Sequence, residues 1–239
     1  MSAEHGPTHD PTYRSTHDPT ADPPPAVSGG AARAGRSGAA ARAVLSGAPV
    51  ERVAPLLLGA VLISDLEGRS VAVRLTEVEA YAGESDPGSH AFRGFTPRTA
   101  VMFGPAGVSY VYLSYGMHWC LNVVTGPDGT ASAVLLRAGS VVRGLDIARE
   151  RRRGAPDRDL CRGPARLTRA LGLTGVHGGL DLLDPGSPLR LELGTPVPAW
   201  SSGPRVGVAG DGAPTPWRFW LDDEPSVSAY RPGVRRARG

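Results

Sequence analysis

The sequence predicts a single α+β domain, a mostly antiparallel sheet with its helices grouped on one side. Three observations predict it. Period-two apolar stretches recur between about residues 60 and 138, with glycine- and proline-rich turns between them. Helical patterning concentrates in one later block, from Val141 to Leu171. No Gly-x-Gly-x-x-Gly follows a strand, and neither a Walker A pattern nor a zinc signature occurs. At 239 residues and 41% hydrophobic content, the chain has room for one sizeable domain plus tails.

Residues 1–44 form a Pro/Gly/Ala/Arg-rich arm expected to be disordered, because almost nothing in it can be buried to offset the entropy of ordering. Thr-His-Asp-Pro-Thr occurs twice, at Thr8–Thr12 and Thr16–Thr20, ahead of three consecutive prolines. His5, His9 and His17 belong to this arm and are not read as a metal set. Arg33, Arg36 and Arg42 are available for loose phosphate contact.

The domain is assigned to residues 45–224. Val53 and Leu56 to Leu58 indicate a short helix, followed by a strand at Ala60–Ser64, a turn at Asp65–Arg69 and a strand ending in Tyr81. In that strand Val71, Val73 and Leu75 share one face, and the same parity continues as Glu77, Glu79 and Tyr81. Two carboxylates are thereby aimed at a buried side, where a carboxylate is costly unless paired, hydrogen-bonded or employed. Pairing of one glutamate with a core arginine, or a bulge that turns both to water, would equally accommodate them.

Ala82–Phe95 reads as a loop carrying Ser89 and His90. Thr96-Pro97-Arg98 has the form of a short helix start. Val108 to Val124 reads as a hairpin with its tip at Tyr115-Gly116 and with Tyr110 and Tyr112 on one face. At the tip, Tyr115 either folds back on the hairpin or serves as a wedge for a base stack. A third strand, Ala131–Ala138, is closed by Arg137.

The block from Val141 to Leu171 reads as two helices broken at Gly154-Ala155-Pro156. Its nine arginines against four acids make it a candidate phosphate-facing surface. Gly163-Pro164 opens the second helix with free N–H groups. Short strands are expected near Leu189–Leu193, Pro204–Val208 and Trp217–Leu221, and residues 225–239 form a flexible basic tail.

All 26 basic residues are arginine, so a lysine Schiff base is not available to this chain. The net charge of +3 is compatible with a nucleic-acid partner. Cys120 and Cys161 have neither disulfide-framework nor metal-ligand spacing. They read as reduced thiols in a cytoplasmic protein with no signal peptide or membrane span.

Thr76–Tyr81, Ser89-His90, Thr96–Arg98, Met102–Gly107 and Tyr110–Met117 together resemble the alkyladenine (3-methyladenine) DNA glycosylases of the mammalian and bacterial type. Asn122, Leu135–Ala138, Gly163-Pro164 and Arg205–Val208 continue the resemblance in the same order, over roughly residues 45 to 222. The resemblance implies a curved sheet with a protruding hairpin, and an enzyme that flips an alkylated purine out of duplex DNA and hydrolyses its N-glycosidic bond. It implies Glu79 and Arg137 as catalytic residues, with main chain near Val206–Val208 completing the hydrogen bonds, and Glu77 as structural. Tyr81, His90, Tyr112 and Asn122 would form the base pocket and Tyr115 would fill the gap in the duplex. Met117, Arg98, Gly163 and Arg166 would touch DNA. No metal or organic cofactor is implied, the partner is damaged double-stranded DNA, and no membrane or obligate protein partner is expected of this monomer of the cytoplasm or nucleoid.

Two rival readings accompany this one. A nucleoside or sugar hydrolase would use Glu77 and Glu79 as its carboxylate pair, but both sit on the same side of a substrate. A non-enzymatic DNA binder could share the scaffold, but the set Glu79, Arg137, Tyr81 and Tyr112 argues against it.

Overall fold

The computed structural model describes residues 38–234. The expected arm up to residue 37 and the last five positions lie outside the described residues. Eight strands form one strongly curled antiparallel sheet: β1 (Val61–Leu66), β2 (Arg69–Tyr81), β3 (Ser109–Ser114), β4 (His118–Val124), β5 (Ala133–Arg143), β6 (Leu189–Glu192), β7 (Ser201–Gly203) and β8 (Arg218–Trp220). Its order is β3-β4-β5-β2-β1-β6, and β8 pairs with both β2 and β7.

The helices α1 (Gly38–Ser46), α2 (Val50–Val53), α3 (Leu145–Arg151) and α4 (Pro164–Leu171) pack against one face of this sheet. Leu45, Val53, Ala148, Leu167 and Leu171 from the helices meet Leu62, Val73, Leu121, Val134 and Leu136 from the strands in the main core. Each such leucine contributes about 1.5–3 kcal/mol on burial. The α+β class and the grouped helices match the expectation. In α4, Pro164 begins the helix, Gly172 ends it in the left-handed region at φ 77°, and Thr168 Oγ1 ties it to Trp119 O at 2.8 Å.

Strand β2 is where two parts of the sheet divide. Its first half pairs with β1, residues Glu77 to Glu79 pair with β8, and β5 runs along the other edge. Against β5, Leu75 pairs with Gly139, Glu77 with Ala138 and Val78 with Leu136, so Thr76 and Arg137 are extra residues in their strands. This irregularity corrects the expected parity. Val71, Val73 and Leu75 enter the main core, and Val78 and Ala80 continue it beyond the bulge. Glu77, Glu79 and Tyr81 are therefore turned to the opposite face, as a β-bulge requires. They do not face water, because the curled sheet and its flanking loops bury that second face too: Glu77 and Glu79 are both 0% exposed.

Other expectations are corrected in the same region. Arg137 lies in the middle of β5, which runs on to Arg143. Residues 204–208 form a loop after β7, not a strand. The last residues of the expected arm, from Gly38, are helical because Ala41 and Leu45 find a place in the core. The C-terminal segment expected to be flexible is a strap as far as it is described. Ser226 is buried on Thr76, Val227 O accepts from Arg162 Nε at 2.8 Å, and Arg231 O accepts from the N–H of Gly207 at 2.9 Å. Its polar backbone supplies partners that the buried glutamate face lacks within the sheet.

Candidate active site

The glutamate face of β2 holds two carboxylates that the fold treats differently. Glu77 accepts four hydrogen bonds. Its Oε1 takes Arg137 Nε at 2.8 Å, Arg218 Nε at 2.8 Å and Ser228 Oγ at 2.9 Å, and its Oε2 takes the Ser228 N–H at 2.7 Å. Burial alone would push the Glu77 carboxyl up, but Arg137, Arg218 and the Ser228 N–H outweigh it and hold it below the ordinary value. Three of the four donors converge on Oε1 and one on Oε2, and all four come from the protein's own arginines and strap.

Glu79 accepts three. Its Oε2 takes Tyr81 Oη at 2.8 Å and Arg137 Nη1 at 3.2 Å, and its Oε1 takes the Val206 N–H at 2.7 Å. One lone pair is left. All three donors line a cavity of about 750 Å³, with Glu79 directly behind them. Burial first, and Glu79 second, push the Tyr81 hydroxyl well above its ordinary pKa, so it stays a donor. Burial opposes charge on Arg137, yet Glu79 and Glu77 together raise its pKa and keep it a cation.

The cavity walls are aromatic. His90 and Tyr112 meet edge to face with ring centroids 4.5 Å apart, and Tyr110 lies 5.6 Å from Tyr112. His90 Nδ1 is 3.2 Å from Tyr110 Oη. Although His90 is exposed along its loop, the atoms packed on its ring and then the Arg98 cation lower its pKa, leaving a neutral imidazole at pH 7. Burial, then Cys120, raises that of Tyr112. Asn122 is buried in the lining, its Nδ2 donating to Tyr110 O at 3.0 Å. Arg98 also lines the cavity, 5.9 Å from the Tyr112 ring centroid. The strands β2, β3, β4 and β5 thus bring Glu79, Arg137, Tyr81, Tyr112 and Asn122 together, and the loop after β2 adds His90.

At the mouth stands the β3–β4 tip. Tyr115 has φ +49° and is 82% exposed, so it does not fold back on its hairpin. A left-handed tyrosine costs about 1–3 kcal/mol, and Gly116 beside it takes φ 68° freely. Met117, next along, is 71% exposed.

Gly163, the cap of α4 at φ 111°, and Pro164 bring that helix start to the cavity edge. Arg166 is exposed, with its nearest carboxylate, Asp159, at 3.9 Å. Much of the arginine block serves the protein itself. Arg149 pairs with Asp146 and Asp157, Arg151 and Arg152 donate to the Ala170 and Leu160 carbonyls, and Arg162 joins the strap. Cys120 and Cys161 are free and buried, and burial pushes Cys161 up to about 12.

Sequence reasoning did not find the clamp beneath the site. Arg205, 0% exposed, grips Asp86 through both guanidinium nitrogens at 2.5 and 2.7 Å and donates to Ala80 O at 2.9 Å. It also lies 4.6 Å from the Tyr81 ring centroid. The clamp binds the end of β2, the loop leading to His90 and the loop supplying the Val206 N–H. Arg205–Val208 carried part of the family resemblance, but nothing in the sequence paired Arg205 with Asp86. Ser228 and Arg218 carried no signal.

Among the described residues, no group of three His, Cys, Asp or Glu side chains is placed to hold a metal ion, and no helix is long and apolar enough to cross a membrane. The curled sheet, the two buried carboxylates and the exposed aromatic tip belong to a DNA glycosylase, a hydrolase of DNA repair, as the comparisons with known proteins show. The sequence pattern of the methylpurine-DNA glycosylases matches residues 45–225, and the chain belongs to that family. A Streptomyces avermitilis protein named as a candidate 3-methyladenine DNA glycosylase is 54% identical over 194 residues, covering 80% of this chain and 91% of its own. Proteins of the same name from Nocardia farcinica and Cutibacterium acnes are 58% and 47% identical, covering 86% and 97% of their own lengths.

Proposed function

We propose that the protein takes an alkylated purine of the 3-methyladenine type, flipped out of duplex DNA, and hydrolyses its N-glycosidic bond. 7-Methylguanine and hypoxanthine are further candidate substrates. Chemistry on a stacked base requires its extrusion. The base enters between Tyr81, His90 and Tyr112, where π-faces attract a cationic purine and the neutral His90 adds no opposing charge. Asn122 narrows the floor against the amino group of normal guanine. Tyr115 occupies the vacated place in the stack, while Met117, Arg98, Gly163 and Arg166 hold the DNA backbone and groove.

In the chemical step a water oxygen attacks the anomeric carbon as the base departs with the bonding electron pair. Glu79 accepts the proton of that water and its charge offsets the cation developing on the sugar. The products are the free base and an abasic site. Without lysine, no lysine Schiff base forms, and simple hydrolysis leaves the abasic strand uncut. The reaction needs no cofactor and no protein partner, and the chain acts as a monomer on chromosomal DNA in the cytoplasm.

The observation that carries this reading is the contrast between the carboxylates: all three donors to Glu79 line the cavity, whereas of the donors to Glu77 only Arg137 does. Glu79 lies directly behind the cavity wall, where its Oε1, with the Val206 N–H as its one partner, can take a further donor. The test is base release from duplexes carrying one 3-methyladenine beside an unmodified control. Release from the lesion alone supports the reading. Tight binding of both duplexes without release would point to a binding protein instead.

A further inference from the structure

We infer that Glu77 is a positioning residue for the hydrolysis: with Ser228 of the C-terminal strap, it aims the Arg137 guanidinium at Glu79 and sets the charge balance beside it. The inference rests on Glu79 being the water-activating base.

The geometry behind it is specific. Arg137 spends its Nε on Glu77 at 2.8 Å, its Nη1 on Glu79 at 3.2 Å and its Nη2 on Ser228 Oγ at 3.3 Å. Rotation about its side chain is therefore fixed at two points other than Glu79. Ser228 is locked in turn, since its N–H and hydroxyl go to Glu77 and its carbonyl accepts from Arg218 Nη2 at 2.6 Å. Glu77, Glu79, Arg137 and Arg218 form a buried quartet of two anions and two cations, with Glu77 touching both cations and Glu79 only one. Such a network is sensitive to the loss of a single charge.

A role confined to stability and a role in positioning predict different results. Without the Glu77 charge, two guanidinium groups stand beside one carboxylate, and Arg137 loses one of the points that fix it. Without the Arg218 charge, two carboxylates share one guanidinium, so the two variants change the charge balance of the quartet in opposite directions. The other titratable or charged groups facing Glu79 are Tyr81 on its own strand, Tyr112 on β3, Cys120 on β4 and Arg205 after β7. None of these changes in the variants, and burial keeps the tyrosines and the thiol protonated.

The experiment is single-turnover release of 7-methylguanine from duplex DNA as a function of pH. This base already carries a fixed positive charge, so protonation of the leaving group does not obscure the acid limb. Glu77→Gln is expected to move the acid limb down by about one pH unit and lower the plateau about tenfold. Arg218→Gln should move the limb up by a similar amount, and Glu77→Asp, which keeps the charge, should leave it near the wild-type pH. Melting temperatures are recorded for every variant. If Glu77→Gln does not fold, the upward shift in Arg218→Gln decides the matter, and its absence overturns the inference. Limbs that stay in place in folded Glu77→Gln and Arg218→Gln, while Glu79→Gln abolishes release, would reduce Glu77 to a packing role and leave the function intact. Release that survives Glu79→Gln would remove the base itself, and this inference with it.

Discussion

The Tyr81 hydroxyl donates to Glu79 Oε2 at 2.8 Å, from two residues along the same strand face. One side chain thus presents an aromatic wall to the cavity and holds the carboxylate behind it. Tyr81→Phe removes the hydrogen bond and keeps the ring. A hydrogen bond to a charged group is worth about 1.5–3 kcal/mol, so base release should slow by about ten- to a hundredfold with duplex binding nearly unchanged. Parallel rate and binding measurements check this; an equal loss in both would mean that the hydroxyl serves the base and not Glu79.

The Arg205–Asp86 pair predicts a stability effect. Both side chains are buried, and removing one partner leaves the other charge without compensation. Arg205→Met should lower unfolding free energy by about 3–5 kcal/mol, measured by denaturant titration. Because the following residue gives its N–H to Glu79, base release should fall even under conditions where the variant stays folded.

Tyr115 separates stability from function. Glycine tolerates the left-handed backbone that tyrosine adopts here, so Tyr115→Gly should leave thermal stability unchanged or raise it by up to about 1 kcal/mol. Release from a paired lesion should nevertheless drop, while release from the same lesion in single-stranded DNA, where no stack needs filling, should be spared. Equal release from the duplex by variant and wild type would exclude the wedge.

Asn122 sets selectivity. Asn122→Ala deletes a buried amide that donates to the Tyr110 carbonyl and opens the floor of the cavity. Excision of guanine lesions should rise relative to 3-methyladenine, at a stability cost of about 1 kcal/mol for the lost side-chain hydrogen bond. Competition between the two lesions in one reaction gives the ratio directly. An unchanged ratio would take Asn122 out of discrimination.

Much of this was legible in the sequence, because strand alternation and hairpin turns are local signals. The strand ending at Tyr81, the Tyr115-Gly116 tip and the helix beginning at Pro164 are all local in this sense. Tyr81, Arg137, Tyr112 and Asn122 meet around one cavity, with Glu79 behind it, because they lie on adjacent strands of one sheet. The direction of Glu77 and Glu79 was not legible. It depends on the irregularity at Thr76 and Arg137, which two strands far apart in sequence create together. Nor could the strap be foreseen, since Ser228 and Glu77 are 151 positions apart and nothing near Ser228 marks it as a partner for a buried acid. The same holds for Arg205 and Asp86, 119 positions apart.

The most direct test of Glu79 as the water-activating base is single-turnover release of 3-methyladenine by wild type and Glu79→Gln, with binding to the same duplex measured for both. Glutamine keeps the shape and one acceptor but cannot take the proton of the attacking water. The expected result is binding within about threefold of wild type and release reduced by at least about a hundredfold. Release at the wild-type rate by Glu79→Gln would contradict the account and move the chemistry to another group.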